Sequence, residues 1–267
     1  MSSASLVVRS VLFNVLFYLN LMILMIVGLP TMLGGRKAIF ALARLWGAIS
    51  VWLLDRICGL KLEYRGLENI PEGGYILAAK HQSFLETFAL LKHAPDFAII
   101  LKRQLTYVPL FGLYLIVSKQ IAIDRGRGVQ ALQQLVTAAK PVLADGRQIM
   151  VYPEGTRRTP GAPPRYKHGV AALYAEAGVP CLPVAVNTGL YWRRREFLRR
   201  PGVAVIEYLP PIAPGLRRAQ FARMLQDRIE SACTRLNDEA IALDPSLRAI
   251  VEQGAKQDDE APAARAG

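Results

Sequence analysis

With 267 residues the chain has room for one sizeable α/β domain and an appendage, and two full domains would be crowded. A hydrophobic fraction of 52% beside a formal net charge of +12 points to an anionic partner with an apolar phase. That means a membrane and not a nucleic acid, since no zinc finger, basic zipper or RNA-binding motif is present. Cys58, Cys181 and Cys233 are too few and too scattered for a disulfide framework or a zinc site, which implies a reducing compartment for the core.

No charge interrupts the stretch between Arg9 and Arg36, and Val11 to Met32 is almost wholly apolar. Such a run can cross a hydrocarbon core about 30 Å thick, and it is too long, with too poor a cleavage site, for a signal peptide. Gly28 and Pro30 end or kink it. A second pattern follows at helical spacing, with Ile39, Leu42, Leu45, Trp46, Ile49, Leu53 and Ile57 interleaved by Arg36, Lys37, Arg44 and Arg56. It suits a helix lying among headgroups, with Trp46 and Trp52 as interfacial anchors, and equally a helix packed on the domain behind it. Residues 1–58 are therefore expected to be the anchor, as one spanning helix or as a hairpin entering one leaflet.

From Lys61 strands and helices alternate, the pattern of an α/β domain expected over residues 59–250. Leu60–Tyr64, Tyr75–Ala79, Phe97–Leu101, Gln120–Asp124, Gln148–Tyr152, Leu182–Val186 and Val203–Tyr208 are predicted strands. Val129–Leu143, His168–Ala177 and Leu216–Leu243 are predicted helices. Leu105–Val117, broken by Pro109 and Gly112, reads as a helix pair that faces lipid or the core. Residues 251–267 are polar and Ala-rich, and are expected to lack structure.

Two of the predicted strands end in residues with chemistry. His81 stands at the mouth of a strand-to-helix turn, where α/β sheets place their sites, and Glu86 follows five residues on. On one continuous helix the two would diverge by roughly 140°, so they meet only if the chain turns between them. Glu86 could then orient His81 as a base. Ser83-x-x-Glu86 is also a capping box, which would explain the same residues without chemistry. The second strand runs into Pro153-Glu154-Gly155-Thr156-Arg157-Arg158.

Together these stretches resemble the glycerophospholipid acyltransferase superfamily, whose signatures are H-x-x-x-x-D and F-P-E-G-T-R. The resemblance covers roughly residues 60–210 and its blocks fall in the family's order. Ile121-Ala122-Ile123-Asp124-Arg125 is similar to the family's arginine-bearing strand, and Val179-Pro180-Cys181-Leu182-Pro183 to its proline block. Two positions depart from the pattern: Glu86 stands for the usual Asp, and Lys80 precedes His81 where Asn is common.

The resemblance implies a mixed sheet flanked by helices, a monotopic hairpin as in bacterial members, and direct acyl transfer from a thioester to a lysophospholipid hydroxyl. The absence of a G-x-S-x-G elbow agrees with direct attack. His81 would be the base and Glu86 its support. Gly155 allows close backbone approach, Arg157 offers a planar fork for a phosphate, and Glu154 would orient Arg157 or a substrate hydroxyl. Arg125 would be a second acceptor contact, with Thr156, Lys102 and Lys167 as further binding candidates. No metal or cofactor is expected. The co-substrate would be acyl-CoA or acyl-carrier protein, at the cytoplasmic face of a bacterial inner membrane. The acceptor best suited is 1-acylglycerol-3-phosphate, with a lyso-ornithine-lipid or other lysophospholipid as the alternative. A non-catalytic lipid-binding protein of the same fold is the competing class. The basic run Arg193, Arg194, Arg195, Arg199 and Arg200, with Trp192 and Phe197 between, suits anionic headgroups or a solvated loop.

Overall fold

The computed structural model describes residues 3–94, 96–124 and 128–256. Arg125 and residues 257–267 lie outside them. Two long helices come first, α1 (Ser3–Val27) and α2 (Gly35–Leu53), the second ending in a π-helical turn over Leu54–Cys58. The strands are β1 (Leu60–Arg65), β2 (Ile76–Ala79), β3 (Phe97–Lys102), β4 (Ile121–Ile123), β5 (Gln148–Val151), β6 (Cys181–Val186) and β7 (Gly202–Tyr208). Between and after them run α3 (Leu85–Ala89), α4 (Phe111–Val117), α5 (Val129–Ala144), α6 (His168–Ala177), α7 (Arg218–Leu243) and α8 (Arg248–Lys256).

The strands form one mixed sheet in the order β1-β7-β6-β2-β5-β3-β4. Every neighbouring pair is parallel except β6 with β7. In the central strands β2, β5 and β6 every residue is buried, which is why they read as unbroken apolar runs. Successive side chains of a strand point to opposite faces, so the sheet separates two cores. Ile76 and Ala78 pack with Leu135, Leu173, Phe221 and Leu225 of α5, α6 and α7. Leu77 and Ala79 pack with Phe13, Phe17, Phe40 and Phe88. The N-terminal hairpin is thus the third layer of the domain.

Both ends of α1 are tied to the globular part. Ser10 Oγ accepts the backbone N–H of Arg199, and the Tyr114 hydroxyl of α4 donates to the backbone oxygen of Met25 at 2.9 Å. A helix held at both ends lies along the domain and does not project from it, which favours the hairpin over a lone spanning helix. Its outer face stays apolar and exposed, with Leu12, Val15, Leu19, Ile23 and Ile26 uncovered. In α2 one face packs on the domain and the other is open: Phe40 and Leu54 are buried and Trp46 packs against Phe17, Phe84 and Phe88, whereas Leu45 and Trp52 are exposed. The stretch after β3 faces outward, with Leu105, Tyr107, Val108, Leu113 and Ile116 exposed, so little of it is core. Residues 251–256 are helical, contrary to the structureless tail expected from composition. They are held because Ile250 and Gly254 of α8 are buried, the latter against the backbone of Pro160.

Candidate active site

Strand β2 delivers the chain at Ala79, and α3 does not begin until Leu85. The irregular residues between them let Glu86 fold back under His81. Glu86 Oε1 lies 2.9 Å from His81 Nδ1 and accepts the backbone N–H groups of Gln82 and Ser83, each at 2.7 Å. Its Oε2 accepts the Thr188 hydroxyl at 2.8 Å. Glu86 is 0% exposed, so its charge is met by donors and not by bulk water. The two sequence readings are therefore not exclusive. Glu86 closes the back half of a capping box on Ser83, whose own hydroxyl accepts the Leu85 N–H at 3.1 Å, and it also holds the imidazole.

A carboxylate can only accept, so the bond to Glu86 places the ring proton on Nδ1 and leaves a lone pair on Nε2. The ring is stacked on Tyr152, with centroids 3.9 Å apart and planes 19° from parallel. That fixes the plane in which Nε2 points. The side chain keeps 14% exposure, enough for a substrate atom to reach it.

Tyr152 begins the second loop. Gly155 takes φ +67°, a left-handed value that favours glycine, and its N–H closes a turn on the Tyr152 carbonyl at 2.9 Å. Further on, the Arg158 N–H donates to the His81 carbonyl at 2.8 Å, which joins the two loops directly. A third loop arrives after β6. Gly189 donates its N–H to Gln82 Oε1 at 3.1 Å, and a Cβ there would stand 2.8 Å from both Gln82 and Pro160. Only glycine lets Thr188 approach Glu86 this closely.

Beneath the loops lies a buried ionic cluster. Lys80 Nζ sits 3.0 Å from Glu154 Oε1 and 2.8 Å from Glu230 Oε1, and the Tyr166 hydroxyl donates to the same Glu230 oxygen at 2.8 Å. Burial pulls the Lys80 ammonium down, but Glu154 and Glu230 outweigh it and its pKa ends above the usual lysine value. Burial raises the Glu154 carboxyl, and the pull of Lys80 offsets only part of this. The Glu154 carboxylate is engaged by Lys80, with Arg158 at 4.0 Å, and no pairing with Arg157 is seen among the described residues.

The guanidinium of Arg157 lies over the Phe84 ring, 5.7 Å from its centroid. Thr156 is exposed beside it, Lys102 is exposed at the end of β3, and Lys167 is exposed at the start of α6. Neither lysine is drawn into the His81–Glu86 network. Arg125 is among the residues not described. Thr188, Gln82 and Glu230 were missed from the sequence. Thr188 stands 102 residues from Glu86, and no local spacing connects them. Lys80 had a visible signal, its departure from the usual Asn.

Residues 61–187 match the family model described as acyltransferase. Among curated relatives, the 1-acyl-sn-glycerol-3-phosphate acyltransferase of Pseudomonas aeruginosa is 41% identical over 157 residues, which cover 59% of this chain and 61% of that one. The enzyme of the same name from Limnanthes alba is 28% identical over 173 residues, covering 64% and 61%. The aligned region thus spans 61% of the length of each of these relatives. In the solved structure of the 1-acyl-sn-glycerophosphate acyltransferase PlsC from Thermotoga maritima the fold recurs, with a TM-score of 0.72 at 22% identity. That likeness covers 86% of this chain and 96% of that one. The matched residues sit in a fold that continues beyond residue 187, through β7 and α7.

Proposed function

We propose that this protein is a membrane-attached enzyme that moves a fatty acyl group from a thioester donor to the free hydroxyl of 1-acylglycerol-3-phosphate, giving phosphatidate. The observation that carries the reading is the His81–Glu86 pair, held at 2.9 Å with the carboxylate fully buried and the imidazole partly open. The names and sequence likeness of the relatives support the choice of acceptor.

In this reading the acceptor hydroxyl gives its proton to His81 Nε2 as its oxygen attacks the thioester carbonyl carbon. The C–S bond then breaks, and the leaving thiolate takes the proton back from Nε2. Glu86 stabilises the transient imidazolium and keeps Nδ1 protonated. Arg157 takes the acceptor's phosphate, and the aromatic side chain beneath its guanidinium links that contact to the hairpin, because Phe84 packs against Phe17 of α1 and Trp46 of α2. A lysolipid entering from the bilayer would meet this side first. The donor is acyl-CoA or acyl-carrier protein, and attachment is to the cytoplasmic face of the inner membrane.

The test is turnover of purified His81→Ala with lysophosphatidate and an acyl thioester. The variant should fold normally and lose roughly 10²–10⁴ in kcat, the range for a positioned base. Near-normal turnover by the folded variant would exclude His81 as the base.

A further inference from the structure

A cavity of about 250 Å³ opens between the three loops, lined by Gln82, Thr159, Pro160, Arg193, Arg194, Arg195 and Glu196. Pockets that hold a whole drug-sized ligand run from about 300 Å³ upward, so this one suits a compact group and not an acyl chain. Its walls are continuous with the catalytic loops. Gln82 follows His81 in the chain, and Thr159 follows Arg158, whose N–H is bonded to the His81 carbonyl.

The charge around the cavity is not balanced. Glu196 is the single acid of its lining, and that carboxylate is divided between Arg193 at 3.7 Å and Arg200 at 3.8 Å. Arg193 is further held by Gln253 of α8. Arg194 donates to the backbone oxygen of Arg157 at 3.1 Å, which brings this loop against the Glu154–Arg158 loop. Arg195 is exposed and makes no ion pair among the described residues. Its backbone has φ +60°, a left-handed value that a non-glycine residue adopts at a cost. Burial lowers the Arg194 pKa, and Arg195, Arg157 and Arg158 lower it further by repulsion. Cations crowded around a small open cavity, with the nearest acid already shared, are relieved by an anion of more than one charge.

We propose that this cavity, joined to Arg157 through the Arg194 contact with its backbone, is a phosphoryl-group subsite in which Arg194 and Arg195 hold a phosphate of one of the two substrates, together with Arg157 if that phosphate is the acceptor's. The proposal rests on the reading of the site as an acyltransferase of phosphorylated substrates. The shared chemistry has two sources: the phosphate of the lysolipid acceptor, or the phosphate on the pantetheine arm of the donor.

Inorganic phosphate is the first probe, titrated into the full-length protein in detergent while the thermal midpoint is followed. Phosphate should raise the midpoint of the wild type and of Arg218→Gln, a surface control whose partner is Glu176. For Arg195→Gln the phosphate concentration needed should rise about tenfold, as for loss of one charged contact. Arg195→Gly is the second variant, since glycine accepts the left-handed backbone and removes the charge without strain. Steady-state kinetics of the same variants then name the source. A KM raised about tenfold for lysophosphatidate alone assigns the subsite to the acceptor, and one raised for the thioester alone assigns it to the donor. Unchanged phosphate affinity together with unchanged KM values would overturn the proposal, and so would equal weakening in Arg218→Gln. The midpoint is read without turnover. A protein that binds phosphate through Arg195 yet never acylates lysophosphatidate would therefore sink the reaction and leave the subsite standing.

Discussion

Glu86 carries four hydrogen bonds on two oxygens, and they divide its work. The two from backbone N–H groups shape the turn, the one from Thr188 fixes the carboxylate plane, and the one from His81 concerns charge. In Glu86→Gln the amide oxygen can still accept the backbone donors, and its NH2 can donate to the Thr188 hydroxyl, so the fold should survive with a midpoint close to wild type. Turnover should fall by at least about tenfold, because a neutral amide cannot stabilise the imidazolium. Wild-type kcat in that variant would leave Glu86 as a helix cap and nothing more. The pair was legible in the sequence because both members lie on one short turn. Lys80 was legible only as an oddity, since Glu154 and Glu230 come to it from distant segments. Lys80→Met should cost about 3–5 kcal/mol by stranding buried carboxylate charge. Glu154 already has a folded-state pKa above its ordinary 4.5, so its contribution to stability is greatest at acid pH and falls as pH rises through the folded value. Without the ammonium the folded-state pKa should rise further and the window of falling stability extend to higher pH, so the variant should regain stability as pH is lowered toward 4.5. A flat pH dependence of its midpoint would show that Glu154 is not the strained group. The cysteines give the opposite kind of check. Burial pushes the Cys58 thiol up to about 11 and Cys233 up to about 12, and Cys181 is also raised. Direct transfer without a cysteine acyl-enzyme predicts that iodoacetamide at pH 8 leaves turnover of the folded enzyme intact. Rapid loss of turnover with one equivalent of label would contradict it.

At the scale of elements, the strands were readable because burial on both sheet faces demands unbroken apolar runs, and that demand is local. What covers each face was not readable. The hairpin's pattern of apolar residues and arginines suits a headgroup layer and a domain surface alike, and in the structure one face packs on the domain while the other stays exposed. Phe17 marks the inner face: it is 1% exposed and its ring lies within 6.0 Å, centroid to centroid, of Phe84, Phe88, Trp46 and Trp192. Truncating a buried Phe costs about 3–5 kcal/mol, and here the loss falls on the contact between anchor and sheet. Phe17→Ala should therefore lower the thermal midpoint in detergent, and it should also loosen Phe84, over which Arg157 lies. An unchanged midpoint would mean that the hairpin is not a layer of the fold. Helix α8 was misread because its composition is that of a solvated tail. Its order comes from one face packed on the Pro160 loop, a contact no window of sequence displays.

For the whole molecule, the docking of the hairpin would set how the protein meets a bilayer in the proposed attachment. Because α1 is tied to the domain near Ser10 and again near Met25, its exposed apolar stripe and the outward residues after β3 lie on adjoining surface, linked by the Tyr114 hydroxyl. Removing residues 1–58 is then a poor test of attachment, since it also strips one sheet face of Phe13, Phe17, Phe40 and Leu54. Charges placed on the outer face alone are cleaner. Leu19 and Ile23 are 50% and 48% exposed, so Leu19→Glu with Ile23→Glu should leave the core and the midpoint in detergent unaltered. A net charge of +12 would also favour anionic lipid, and salt separates the two attractions. At about 1 M salt the Debye length falls to roughly 3 Å and the electrostatic part is screened, whereas burial of apolar side chains is not. In flotation with anionic vesicles at that salt, the wild type should remain bound and the double variant should stay in solution. At low salt the double variant should still bind in part, through its basic residues. A double variant that floats with vesicles at high salt as fully as the wild type would place the attachment on another face of the molecule.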